Sequence, residues 1–92
     1  MKKNVKQQIL VASIRHYGTG NQQLKAIEEL SELIRALARG NDRDNIAEEM
    51  ADVRIMLDQL EIMLGNHDEV REWEYEKLMR LNERLHAADV VG

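Results

Sequence analysis

No proline interrupts this 92-residue chain, and its breaks fall at three steps that join glycine to a polar residue: Gly18-Thr19-Gly20, Gly40-Asn41 and Gly65-Asn66. Proline is excluded from helix interiors because it lacks the N–H and clashes with the preceding turn, whereas glycine beside a small polar residue is a natural helix stop. A chain punctuated only in this way is committed to a few long helices. The spacing predicts four of them, over about 5–16, 21–39, 45–64 and 67–87. Asn45 and Glu48 stand at capping-box spacing, so the third helix is expected to begin there. The tail from Ala87 to Gly92 is expected to fray. No segment reads as a strand. Short connections favour antiparallel neighbours, and the expected fold is all-α, an up-and-down four-helix bundle forming a single domain over residues 1–92.

A chain of this length buries only a thin core by itself, so oligomerisation is expected. Cysteine is absent, which removes disulfides, thiolate metal sites and a thiol nucleophile. The formal charge of −4 argues against a broad basic face for a nucleic acid polymer. A nucleotide substrate would need bridging cations. The stretch Ile9-Leu10-Val11-Ala12 is too short, and too soon followed by Arg15 and His16, for a signal peptide or a membrane span. The expected setting is the cytoplasm, away from membranes.

Acidic residues concentrate on two consecutive helices, as Glu28-Glu29-Leu30-Ser31-Glu32 and Glu48-Glu49-Met50-Ala51-Asp52. Residues three apart share a helix face, so Glu29 with Glu32, and Glu49 with Asp52, each present two oxygen donors together. The two pairs lie symmetrically about the Gly40-Asn41 step, and an antiparallel hairpin brings them level. A loop from 40 to 45 would offset them by several ångströms at about 1.5 Å per residue. On a helical wheel with Ile46 at zero, the apolar arc holds Ile46, Met50, Val53, Met56, Leu57, Leu60, Met63 and Leu64, and Glu49 falls inside it at about 300°. A carboxylate aimed at a core is unfavourable unless paired, hydrogen-bonded or bound to metal. On the second helix, Leu24, Ile27, Leu30, Ile34 and Leu37 cover one side and the acids the other, which alone reads as an ordinary solvated face, and the other reading of the whole cluster is a charged surface balanced by Lys25, Arg35, Arg39 and Arg43. Glu28, Glu29, Glu48 and Glu49 also lack a basic residue four positions later. Oxygen-only donors favour magnesium, with manganese possible, over zinc.

The arrangement Glu28-Glu29-x-x-Glu32, sixteen residues, then Glu49-x-x-Asp52 resembles the signature of the MazG-like all-α nucleoside triphosphate pyrophosphohydrolases. Tyr17-Gly18, Gln22, and Asn45-Ile46-Ala47-Glu48-Glu49-Met50-Ala51-Asp52-Val53 are similar to the same domains, and the likeness spans about residues 14–85. It implies magnesium ligation by Glu29, Glu32, Glu49 and Asp52, with Glu28 supporting the shell or positioning water. Cleavage would fall between the α and β phosphates, giving a nucleoside monophosphate and pyrophosphate. The resemblance also implies a homodimer or homotetramer. Ala51, Ile55 and Ile62, a second apolar strip on the third helix, suit such assembly. Lys77, Arg80 and Arg84 align along the fourth helix, where basic residues of the family meet substrate phosphates; a solvated stripe is the other reading. Gln22 is a further candidate substrate contact.

Other readings fit less of the pattern. A di-iron bundle needs two facing Glu-x-x-His motifs, and the chain holds Glu83-x-x-His86 alone. A noncatalytic helical oligomerisation or adaptor module accounts for the size and amphipathicity but not for Glu49. A phosphoribosyl-ATP pyrophosphohydrolase shares the metal logic and differs in substrate.

Overall fold

The computed structural model describes residues 2–40 and 42–91, with side chains as far as Ala87. It is all-α, with α1 over Lys3–Tyr17, α2 over Thr19–Arg39, α3 over Arg43–Leu64 and α4 over His67–Val91. No strand occurs among the described residues. Gly40 and Gly65 close α2 and α3 with φ of 68° and 62°, returning their N–H groups to the carbonyls of Ala36 and Glu61. That left-handed cap is one that residues with a Cβ adopt only with strain.

Three boundaries differ from expectation. Thr19 and Gly20 already belong to α2, leaving Gly18 alone between α1 and α2. The third helix begins at Arg43 because Asp42 takes the N-cap, its carboxylate accepting the Asn45 N–H at 3.0 Å. Aspartate caps as well as asparagine and stands three residues earlier, so the Asn45–Glu48 pairing lies inside the helix. The last helix continues to Val91, past the point where fraying was expected. Asn41 and Gly92, named above in a turn and in the tail, lie outside the described residues.

The main packing is α2 against α3. Gln22, Ala26 and Ala36 are buried on α2, and Val53, Met56 and Gln59 on α3. Alanines keep the inward surface of α2 low, so the helices approach closely and polar side chains between them lose water. Gln22 Nε2 donates to Gln59 Oε1 at 2.7 Å and to Ser13 Oγ at 3.1 Å. Gln22 and Gln59 are symmetric about the Gly40-Asn41 step, so this bond holds the register that sets Glu29 level with Asp52. The short turn removes the offset that a longer loop would impose. The first helix packs on the opposite end of the hairpin from Gly40, through buried Leu10 and a 2.6 Å ion pair from Lys6 to Asp58.

Gln59→Leu is expected to destabilise the protein by about 1–3 kcal/mol, because the Gln22 amide stays buried without its partner. The double variant Gln22→Leu/Gln59→Leu recovers much of that loss. Urea denaturation of the two single variants and the double variant measures the coupling.

The most apolar stripe of α2 is not in this core. Leu24, Ile27, Leu30, Ile34 and Leu37 are all exposed, Leu24 and Ile34 by about two-thirds. The reading of the acids as the solvated side is overturned for Glu29, which α2 turns toward α3, while Glu28 stays largely exposed. Met50, Leu57 and Leu64 are exposed on α3. Stepping 100° per residue around each helix puts them on the same side of the hairpin as the α2 stripe, away from α1. The fourth helix meets only α3, and all its side chains from His67 to Ala87 are exposed. Accessible surface totals 7744 Å², against about 5,500 Å² for a compact monomer of this mass. The radius of gyration is 16.8 Å, against about 12 Å for a compact chain of this length. No described helix is long and apolar enough to cross a membrane.

Candidate metal centre

The acids on α2 and α3 meet in the middle of the hairpin. Glu29, Glu49 and Asp52 each offer a carboxylate oxygen, and these atoms lie within 4.8 Å of one another. Helical position explains the convergence: Glu29 falls between Ala26 and Ala36 on the inward face of α2, while Glu49 and Asp52 precede Val53 and Met56 on the inward face of α3. The wheel placed Glu49 inside the apolar arc, at about 300° from Ile46. The face that packs is centred closer to Glu49 itself, with Met50 and Leu57 rotated out.

Glu49 is the least compensated group in the cluster. Its Oε2 is shielded from solvent and has no hydrogen-bond partner. Burial raises its pKa above the ordinary carboxylate value, and the charges of Asp52, Glu29, Glu32 and Glu48 raise it further. Glu29 is better served, because Lys25 Nζ reaches it at 3.1 Å and also stands 3.8 Å from Glu28. The Lys25 ammonium is held protonated to higher pH, first by that hydrogen bond and then by the charges of Glu28 and Glu29. Lys25 thus balances the acids of α2 as the charged-surface reading of the cluster expects.

Glu32 is not part of the convergent triad, since its carboxylate pairs with Arg35 one turn on. Glu28 is largely exposed beside Lys25, at the edge of a groove of about 520 Å³ that Tyr17, Asn21 and Met56 also line. Gln22, a candidate substrate contact, is buried with its amide hydrogens engaged by Ser13 and Gln59, which gives it a packing role. Lys77, Arg80 and Arg84 are exposed on α4, where Arg80 pairs with Glu76 at 2.8 Å. A single chain does not bring them to the triad.

Magnesium takes oxygen ligands at about 2.1 Å in octahedral geometry, so opposite ligands stand about 4.2 Å apart. A 4.8 Å spread of three carboxylates needs only small side-chain adjustment to reach it. The donor set therefore fits a hard divalent cation. Comparison with protein-family models, with curated proteins and with solved structures found no match.

The raised pKa of Glu49 gives a pH signature. The folded protein holds the Glu49 proton at pH values where the unfolded chain has released it, so folding takes up a proton there. Stability of the metal-free protein is then expected to fall as pH rises from the ordinary carboxylate value through the raised one. Below that window the penalty disappears. Melting temperatures in chelator across pH 4–7 check this, and Glu49→Gln flattens the slope.

Proposed function

We propose that this chain is a magnesium-dependent nucleoside triphosphate pyrophosphohydrolase of the MazG-like kind, cleaving ribo- or deoxyribonucleoside triphosphates to a monophosphate and pyrophosphate. The observation that carries the reading is the unpartnered, shielded Glu49 oxygen placed among Asp52 and Glu29. A structural acid would have a donor there. A cation supplies what the neighbours do not.

In this reading Glu29, Glu49 and Asp52 hold magnesium, or manganese in its place, and Glu32 joins them by leaving Arg35. Lys25 retreats from Glu29 as the ion binds, so the ammonium serves as a stand-in positive charge in the metal-free protein. Glu28, exposed at the groove edge, orients and deprotonates the attacking water. Magnesium bound here would neutralise charge on the triphosphate and acidify that water. One water is consumed, and the bond between the α phosphorus and the oxygen bridging to the β phosphate is the one broken.

The same reading makes the protein a homodimer or homotetramer working in the cytoplasm. The joint apolar side of α2 and α3 is its support, since a second copy laid across it would complete a four-helix core. A typical stable interface buries about 800 Å² per partner. The excess surface of the single chain, about 2,200 Å² over the compact expectation, is ample for that.

The test is a panel of ribo- and deoxyribonucleoside triphosphates, with phosphoribosyl-ATP beside them, incubated with magnesium and followed for monophosphate and pyrophosphate. Pyrophosphate release that needs magnesium supports the reading and ranks the substrates. Release from phosphoribosyl-ATP alone moves the protein to that neighbouring activity. Silence across the panel, with no thermal response to magnesium, leaves a noncatalytic helical assembly module.

A further inference from the structure

The fourth helix has a charge pattern that, among the described residues, its own fold uses in the pair of Arg80 with Glu76 alone. From His67 to Glu76 it carries five acids, Asp68, Glu69, Glu72, Glu74 and Glu76, against Arg71 alone. From Lys77 to Ala87 it carries three bases, Lys77, Arg80 and Arg84, against Glu83 alone. Complementing the helix dipole explains charges in the first and last turns only. The pair of Glu76 with Arg80 accounts for one contact across the reversal of sign in the middle of the helix, and leaves the remaining acids before it and bases after it unengaged among the described residues.

The apolar residues of α4 complete the picture. Val70, Trp73, Leu78 and Leu81 line one shallow groove along the helix together with the charged side chains of Glu74, Lys77 and Arg84, and Leu85 continues the same face. Trp73 is 55% exposed and Leu85 56%. Among the described residues no other element covers them.

We propose that α4 pairs antiparallel with α4 of a second copy of this chain, centred between Lys77 and Leu78. This pairing sets the acidic half of each helix against the basic half of the other, and lays Val70 opposite Leu85 of the second copy. Glu69, Glu76, Arg80 and Arg84 fall on one flank of the apolar face, where the antiparallel arrangement joins acid to base. A parallel pair would instead oppose acid to acid and base to base. The pairing assigns Arg80 and Arg84 to self-recognition and leaves the hydrolase reading of the triad untouched, since neither depends on the other.

Because the chain contains no cysteine, single introduced cysteines report the geometry directly. Under mild oxidation Leu78→Cys is expected to cross-link with itself, its two copies lying within about one residue of each other. Val70→Cys and Leu85→Cys each alone stay uncross-linked, because like positions are separated by about 22 Å along the axis, beyond the reach of a disulfide. Mixed together, they form the heterologous disulfide. Self-cross-linking of Val70→Cys and of Leu85→Cys separately would show a parallel pair and overturn the proposal, as would no cross-link at any position. A charge-reversal pair gives a second reading on exposed residues. Glu69→Lys/Glu76→Lys and Arg80→Glu/Arg84→Glu are each expected to lose α4-mediated association in sedimentation at least tenfold, and to recover it when mixed. Failure of the mixture to recover association also overturns it.

Discussion

Glu49→Gln is expected to raise the melting temperature of the metal-free protein while removing the hydrolytic activity proposed for it. The amide keeps the shape of the carboxylate and discards the charge that Asp52, Glu29, Glu32 and Glu48 all oppose. A gain of roughly 2–5 °C is the size expected in a domain this small when a modest repulsion is relieved. Magnesium is expected to raise the wild-type melting temperature in proportion to the logarithm of its concentration once binding saturates, and to leave the variant unmoved. Pyrophosphate release is expected to fall by about 10²–10³-fold, the usual scale for removing one pre-placed electrostatic group from a transition state. Calorimetry with and without chelator, beside the pyrophosphate assay, reads both effects on one preparation. A variant less stable than wild type in chelator would mean that the Glu49 carboxylate has a stabilising partner in the folded protein. The account of the cluster as a strained cation site would then be wrong.

Dilution is expected to act on this protein as a denaturant. Among the described residues its buried apolar side chains are Leu10, Ala26, Ala36, Val53 and Met56, and no large side chain is fully enclosed. Such a core does not offset the conformational entropy of about 90 ordered residues at roughly 1.5 kcal/mol each. If association completes the core, melting temperature rises with protein concentration. Ile34→Glu puts a charge in the middle of the exposed α2 stripe and is expected to weaken association about 30-fold or more, the scale of an interface hot spot. Sedimentation across a hundredfold concentration range, paired with thermal melts, checks both statements. Concentration-independent melting of a wild-type monomer would dismiss the assembly.

Helix number was legible because glycine is the only strong helix breaker in the chain and each of the three breaks has a glycine in the left-handed or a similar positive-φ conformation. The level placement of the two acidic pairs was legible for a related reason, since symmetry about a tight turn leaves little freedom in register. Which side of α2 faces inward was not. Hydropathy ranks Leu24, Ile27 and Ile34 above Ala26 and Ala36, and it assumes that the most apolar side meets the chain's own core. Here small size decides instead, with alanines and an amide pair allowing close approach, while the larger side chains are left for another surface. The sequence did carry a signal, because Gln22, Ala26, Glu29, Leu33 and Ala36 recur at helical spacing opposite Gln59, Met56, Asp52 and Glu49. The pairing of Glu32 with Arg35 was legible as an i,i+3 neighbour within α2, but the spacing of the acids alone did not say whether Glu32 would turn to that base or to the opposite helix.

The Gly40 turn has a consequence for the order of events during folding. Contacts close in sequence form first, because little loop entropy is lost in making them, and α2 and α3 follow one another in the chain and make its main packing. The carboxylates are therefore expected to come together with the local hairpin, before any second copy is in place to support them. Their mutual repulsion falls on the nucleus itself. A divalent cation in the surrounding solution would thus act while the chain is still assembling, speeding the closure of the hairpin as well as holding the finished one.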